Sequence, residues 1–229
     1  MILLLLGRSG CGKSRIEELL ISRRRYRKVV TCTTRKRREG ESEDSYHFMT
    51  KDEFLIHLSN GDFVEWDKYG DNFYGTLKES LEGDGMLVCA ITPEGAANIK
   101  KEFPDTFVVH VKTDMKTSVM RAVGREAELD PGKMHRIYQR SVQDYHIYED
   151  PACDYTAENP EGTNLCHLAE KIADEHLRFV SSSLLKSTSK ILKESAEELR
   201  EYDRAHPKRK EKENMVWQQQ NVRLLKALV

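Results

Sequence analysis

The sequence predicts an α/β fold, with a parallel sheet covered on both faces by helices. Three observations carry that expectation. Short apolar or β-branched runs recur along the chain, at Ile2–Leu6, Val29–Thr33, Gly85–Thr92 and Thr106–Val111. Stretches with helical periodicity follow several of them. The first run also leads directly into Gly7-Arg8-Ser9-Gly10-Cys11-Gly12-Lys13-Ser14, the G-x-x-x-x-G-K-[ST] spacing that joins a strand to a helix. Alternating strands and helices need crossovers that bury both sheet faces, and those crossovers are right-handed.

Taken in order, residues 2–6 read as a buried strand and 13–23 as a helix. Val29-Val30-Thr31-Cys32-Thr33 reads as a second strand, and residues 35–45, polar and charged, as a loop. Between Tyr46 and Tyr74 come short pieces: a strand YHFM, a helix near 51–59, the Asn60-Gly61 turn, FVEW, and NFYG. These suggest a small β-rich subdomain. Thr76–Leu81 reads as helical. Gly85–Thr92 is a third core strand, and Pro93 opens a helix to about Phe103. Thr106–Val111 is a fourth strand, with Asp114 capping a helix to about Gly124. Arg125–Gly132 reads as a loop ending in Pro131-Gly132, and 133–148 as a helix. Cys153–Ala157 reads as a last strand and 162–180 as a helix. Ser181-Ser182-Ser183 reads as a hinge or cap. Beyond it, Leu185, Ile191, Leu192, Ala196 and Leu199 share a helical face that Pro207 ends, and a second amphipathic stretch runs from Met215 to Val229.

The strand–loop–helix order gives the first motif its chemistry. Backbone N–H groups of Ser9, Gly10, Cys11 and Gly12 would face a polyphosphate, at the positive end of the following helix. Lys13 would reach the β/γ-phosphates, and the Ser14 hydroxyl would ligate Mg²⁺. The loop falls at the carboxyl end of the first strand, where open α/β sheets take ligands. The motif thus predicts a nucleoside triphosphate site.

Bulk properties exclude other classes. A third of the 229 residues are charged, yet the net charge is -1, so no global field favours nucleic acid or an anionic membrane. The five cysteines are scattered and lack CxxC spacing, as expected of reduced thiols in the cytoplasm without a zinc site. Ile2–Leu6 is too short for a signal core or a membrane span. The expected partners are small molecules.

Two clusters bear on a second substrate. Arg35 and Arg38 lie just past the second strand, with Tyr46 further on. Two guanidiniums so spaced can clamp one phosphate, helped by a phenol, although a solvated basic loop has the same composition. Glu65 precedes Trp66, followed by Tyr74-Gly75-Thr76. A carboxylate in an apolar site can accept from N1–H and the exocyclic amine of guanine, and a hydroxyl of Thr31 or Thr76 can add a bond. A surface glutamate on a strand is the plainer alternative.

In this order the motifs resemble the guanylate kinase family over about residues 2–175. The resemblance rests on GRSGCGKS, TCTTRKRREGE followed by YHF, FVEW, NFYGT, Arg121-Ala-Val-Gly-Arg125, Arg136, and CDYTAEN. It implies a three-layer phosphate-loop kinase fold at 1–180: core 1–34 and 77–180, a GMP-binding subdomain 35–76, and a helical lid at about 121–140. Residues 181–229 would form a helical extension, available for self-association or a partner. The resemblance further implies ATP as donor with Mg²⁺, and GMP or dGMP as acceptor. It implies phosphate contacts from Arg35, Arg38, Tyr46 and Tyr74, and guanine contacts from Thr31, Glu65 and Thr76. Arg121, Arg125 and Arg136 would close over the triphosphate, and Asn159 would lie near the adenine.

One stretch departs from the family. Guanylate kinases usually end the third core strand with Asp-x-Asp-x-Gln-Gly; here it reads Ala90-Ile91-Thr92-Pro93-Glu94-Gly95. Three expectations follow: an active enzyme with Mg²⁺ held by Ser14, phosphates and water; a kinase with a shifted base preference; or a catalytically weakened module that binds a phosphorylated partner.

Overall fold

The computed structural model describes residues 1–37, 41–69, 71–125 and 130–205. Residues 1–180 form one compact unit, and the described residues 181–205 belong to a second. In the first, five strands make a wholly parallel sheet in the order β2-β7-β1-β8-β9: β1 (Ile2–Leu6), β2 (Arg27–Lys28), β7 (Leu87–Ala90), β8 (Thr106–Lys112) and β9 (Tyr155–Glu158). β1 is central because every one of its residues is apolar and can be buried on both sides. Leu3 and Leu5 face one core with Ile16, Leu19 and Leu20 of α1 (Lys13–Arg24) and Ile172 of α6 (Leu165–Ala205). Ile2, Leu4 and Leu6 face the other, with Ala96 and Ile99 of α3 (Pro93–Glu102). Each fully buried leucine contributes about 1.5–3 kcal/mol, so this strand anchors the loop that leaves its end.

Four strands form a second, mixed sheet in the order β4-β3-β6-β5: β3 (Cys32–Thr33), β4 (His47–Phe48), β5 (Phe63–Tyr69) and β6 (Asn72–Leu77). α2 (Lys51–Asn60) packs on it through Phe54, whose ring stacks on Phe63 and Phe73. A capping box between Thr50 and Glu53 starts α2, and Gly61 ends it in the left-handed region. α4 (Met115–Val123) begins on the Asp114 cap and α5 (Pro131–Ile147) on Asp130.

Several expectations are corrected. The run 29–33 is not one strand. The Val29 N–H still bonds to Val88 O of the core sheet, whereas Thr31 O already accepts from the His47 N–H in the second sheet. The β-branched run is where the chain changes sheets. Thr76 belongs to β6, and only Lys78–Leu81 turn, as a short 3-10 helix. Pro131-Gly132 opens a helix instead of closing a loop, because Pro fits the first turn behind the Asp130 cap. α6 passes through Ser181-Ser182-Ser183 without a break; serines are tolerated inside a helix whose neighbours are good formers. In the second unit, Leu185, Ile191, Leu192 and Leu199 are exposed. The stretch from Met215 to Val229 lies outside the described residues.

Candidate active site

The loop after β1 is shaped by its backbone. Gly10 has φ +83, and a Cβ there would lie 2.1 Å from Ser118 O of α4. No side chain fits. Helices α2, α3, α4 and α5 each start on a capping side chain, Thr50, Thr92, Asp114 and Asp130. α1 starts on Gly12 without one, and its first turn holds no acid. Its leading N–H groups are therefore open to an anion. Lys13 Nζ donates to Gly7 O and Arg8 O and sits 5.9 Å from the Tyr148 ring centroid.

A cavity of about 460 Å³ opens in front of this loop, within the range of small-ligand sites. Ser9, Gly10, Gly12, Lys13 and Ser14 line it at the core sheet. Glu65 and Tyr74 line it from the second sheet and Thr31, Arg35 and Tyr46 from the segments beside its strands, and Arg125 also reaches it. Residues far apart in sequence thus face one space. Cys11 is buried behind the loop, where its carbonyl accepts from Asn159 Nδ2 at 2.7 Å. Asn159 is itself buried, and its Oδ1 has no partner among the described residues. Arg121 donates to Asn159 O at 3.4 Å and to Pro160 O at 3.2 Å, and does not line the cavity. Arg38 lies outside the described residues.

At the second sheet, Arg35 makes a two-pronged pair with Glu41, at 2.9 and 2.8 Å. That hydrogen bond raises the Arg35 pKa and holds the guanidinium over the Tyr46 ring, 5.4 Å from its centroid. Tyr46 and Tyr74 meet edge to face at 6.3 Å, and burial raises the Tyr46 phenol pKa. Glu65 pairs with Thr76 across β5 and β6, and the Thr76 hydroxyl donates to Glu65 Oε1. Burial pushes the Glu65 carboxyl above the usual range. Gly95 leaves room for it, since a Cβ there would lie 3.0 Å from Glu65 Oε2. Thr76 does not line the cavity; its hydroxyl reaches Glu65, which does.

Ala90 and Thr92 line the cavity at the strand end. The Thr92 hydroxyl caps α3 by accepting from Gly95 N–H. The Ala90 N–H donates to the carboxyl of Glu17 on α1, whose pKa burial raises. Sequence reasoning missed five cavity residues: Glu41, Asp67, Arg140, Asp144 and Tyr148. The last three are four apart, Arg140 and Asp144 on α5 and Tyr148 capping it, the signature of one helical row. Arg136 continues that row one turn outward; it is exposed and does not line the cavity. The i+4 spacing was the signal that could have added Arg140 to Arg136.

A glycine-shaped anion loop at the end of a central parallel strand, facing a second small sheet, defines the phosphate-loop kinases. Comparison with known proteins narrows the class. The guanylate kinase family model matches residues 1–175. The chain is 31% identical over 205 residues to a guanylate kinase of Onion yellows phytoplasma, covering 85% of this chain and 94% of the relative. It is 27% identical over 186 residues to one from Latilactobacillus sakei, covering 78% and 91%. The crystal structure of guanylate kinase from Anaplasma phagocytophilum shares the fold, with a TM-score of 0.58 and 22% identity over 78% of this chain and 85% of that one. The chain belongs to the guanylate kinase family.

Proposed function

We propose that this chain transfers the γ-phosphoryl group of ATP to GMP, with dGMP as a further acceptor, giving ADP and the guanosine diphosphate. The observation that carries the reading is the shared cavity: loop residues 9, 10 and 12–14, and Arg35, Tyr46, Glu65 and Tyr74 on or beside the second sheet, line it together. Phosphoryl transfer asks a protein for positioning and neutralisation of charge, and the cavity offers both. The α1 N-terminus and Lys13 hold the donor. Arg35, Tyr46 and Tyr74 hold the acceptor phosphate. Glu65 accepts from guanine while Thr76 fixes its orientation. Arg125 adds positive charge beside the migrating group, with Arg121 and Arg136 as further arms of the lid and Arg38 as a second clamp. Asn159 Oδ1, buried and without a partner among the described residues, would suit an amine donor such as that of adenine once a small local shift opens it to the cavity.

The residues present fit Mg²⁺ as well. Ser14 is exposed at the start of α1 and lines the cavity, and no group of three or more His, Cys, Asp or Glu side chains suited to a metal occurs among the described residues. An ion that keeps several waters and binds through one hydroxyl and substrate phosphates needs no such cage. When bound, it would neutralise charge on the β- and γ-phosphates. No described helix is long and apolar enough to cross a membrane.

An ADP-release assay over GMP, dGMP, AMP, dTMP and dCMP tests the reading. Turnover of a guanine nucleotide above all others is expected. No turnover of either guanine nucleotide at millimolar concentration would refute it and favour a binding module, the reading that Ala90 and Thr92 support.

A further inference from the structure

Asp144 lies on the cavity row of α5, and its Oδ2 accepts a hydrogen bond of 2.6 Å from the Ser9 N–H. That N–H belongs to the loop whose amides would face phosphate oxygens on the kinase reading. A carboxylate at this place carries the same charge sign as the nucleotide and uses the same donor. The neighbouring groups repeat the pattern. Lys13 is turned back onto the carbonyls of Gly7 and Arg8, under Tyr148 one turn beyond Asp144. Arg8 stacks over Tyr145, its guanidinium carbon 5.8 Å from the ring centroid. Two consecutive loop positions, Arg8 and Ser9, and the loop lysine are thus engaged by the end of α5 and the residue that caps it.

We propose that Asp144 is a positioning residue that imitates a phosphate. It holds α5 against the loop, and the polyphosphate of ATP must displace it. The inference rests on the kinase reading above. Two anions cannot share one N–H donor at hydrogen-bond distance, because their Coulomb repulsion rises as water is excluded. Nucleotide binding and release of α5 are then a single event. The affinity for ATP is lowered by whatever the Ser9–Asp144 bond contributes, and a charge-assisted hydrogen bond of this kind corresponds to about a tenfold effect or more. The same exchange frees the row carrying Arg140 to move with the phosphate.

The test uses the full chain as wild type, Asp144→Ala and Asp144→Asn, with ATP and GMP affinities measured by calorimetry and KM and kcat measured separately. Asp144→Ala is expected to bind ATP about tenfold tighter and to lower KM for ATP without a matching rise in kcat, while GMP affinity stays constant. Asp144→Asn keeps the shape and an acceptor oxygen but not the charge, and should fall between wild type and Asp144→Ala. It also serves if the alanine variant fails to fold. ATP affinity that is unchanged or weaker in the variants overturns the proposal, as does a fall in kcat at constant KM, which would place Asp144 in the chemical step. Wild-type protein that binds no ATP would instead sink the kinase reading itself.

Discussion

The two ends of the cavity are built by different means. The donor end is made of backbone: a left-handed Gly10 pressed against Ser118 O, a Gly12 start to α1, and a helix terminus left uncapped. The acceptor end is made of side chains, each held by another: Arg35 by Glu41, Tyr46 by Tyr74, and Glu65 by Thr76. A backbone site recognises charge and fits any polyphosphate. A side-chain site recognises shape and hydrogen-bond pattern, and it can be retuned one residue at a time. On the proposed reading, affinity for the triphosphate belongs to one end and choice of acceptor to the other.

The largest effect that would break this division is at Gly10. Gly10→Ala combines an unfavourable left-handed conformation with a backbone overlap, and each costs on the order of 1–3 kcal/mol. ATP affinity should fall by about two orders of magnitude or more while GMP binding persists; equal loss of both ligands in calorimetry would show the ends to be one unit. Glu65→Gln comes next and should do the reverse. It removes a charge-assisted acceptor worth about 1.5–3 kcal/mol of guanine recognition and leaves ATP binding intact. Preference for GMP over AMP as strong as in wild type would move the base site elsewhere.

The same variant has a stability sign. Because burial raises the folded carboxyl pKa of Glu65, the folded state holds its proton longer than the unfolded chain. Stability from this group is therefore present at low pH and lost as pH rises through the folded pKa. Glu65→Gln should make the unliganded protein more stable at neutral pH and nearly unchanged in acid, as read by urea unfolding at the two conditions. The smallest effect sharpens the boundary between the ends: Arg140→Ala should lower kcat about tenfold or more, and Arg136→Ala much less. The opposite ranking would mean that α5 advances by a turn when substrates bind.

Legibility in the sequence follows the same division. The donor end occupies eight consecutive residues, so a local motif contains nearly all of it. The parallel sheet was legible because Ile2–Leu6 and Thr106–Val111 are too apolar for any strand but a buried one. The motifs pointed to Glu65, which lines the cavity, and to Thr76, which bonds to it, but they did not single out Glu41, Asp67 or Asp144. Their roles depend on which face of a strand or helix turns inward, and charged residues on an amphipathic helix look alike until its phase is fixed. The split of 29–33 between two sheets was hidden for a related reason: β-branched residues report extended backbone and say nothing about which neighbour accepts the hydrogen bonds.

The sheet registers also imply an order of assembly. Ile2 must find Leu87 and Thr106, so the core sheet closes only after most of the first unit has been synthesised and searched through. Glu65 meets Thr76 across a short turn, a closure with a far smaller entropic cost. The part of the protein that chooses the acceptor is therefore expected to acquire structure before the part that holds the donor. Pulse-labelled hydrogen exchange during refolding would register protection in β5 and β6 ahead of β1, and simultaneous protection of all three would show the sheets to condense together.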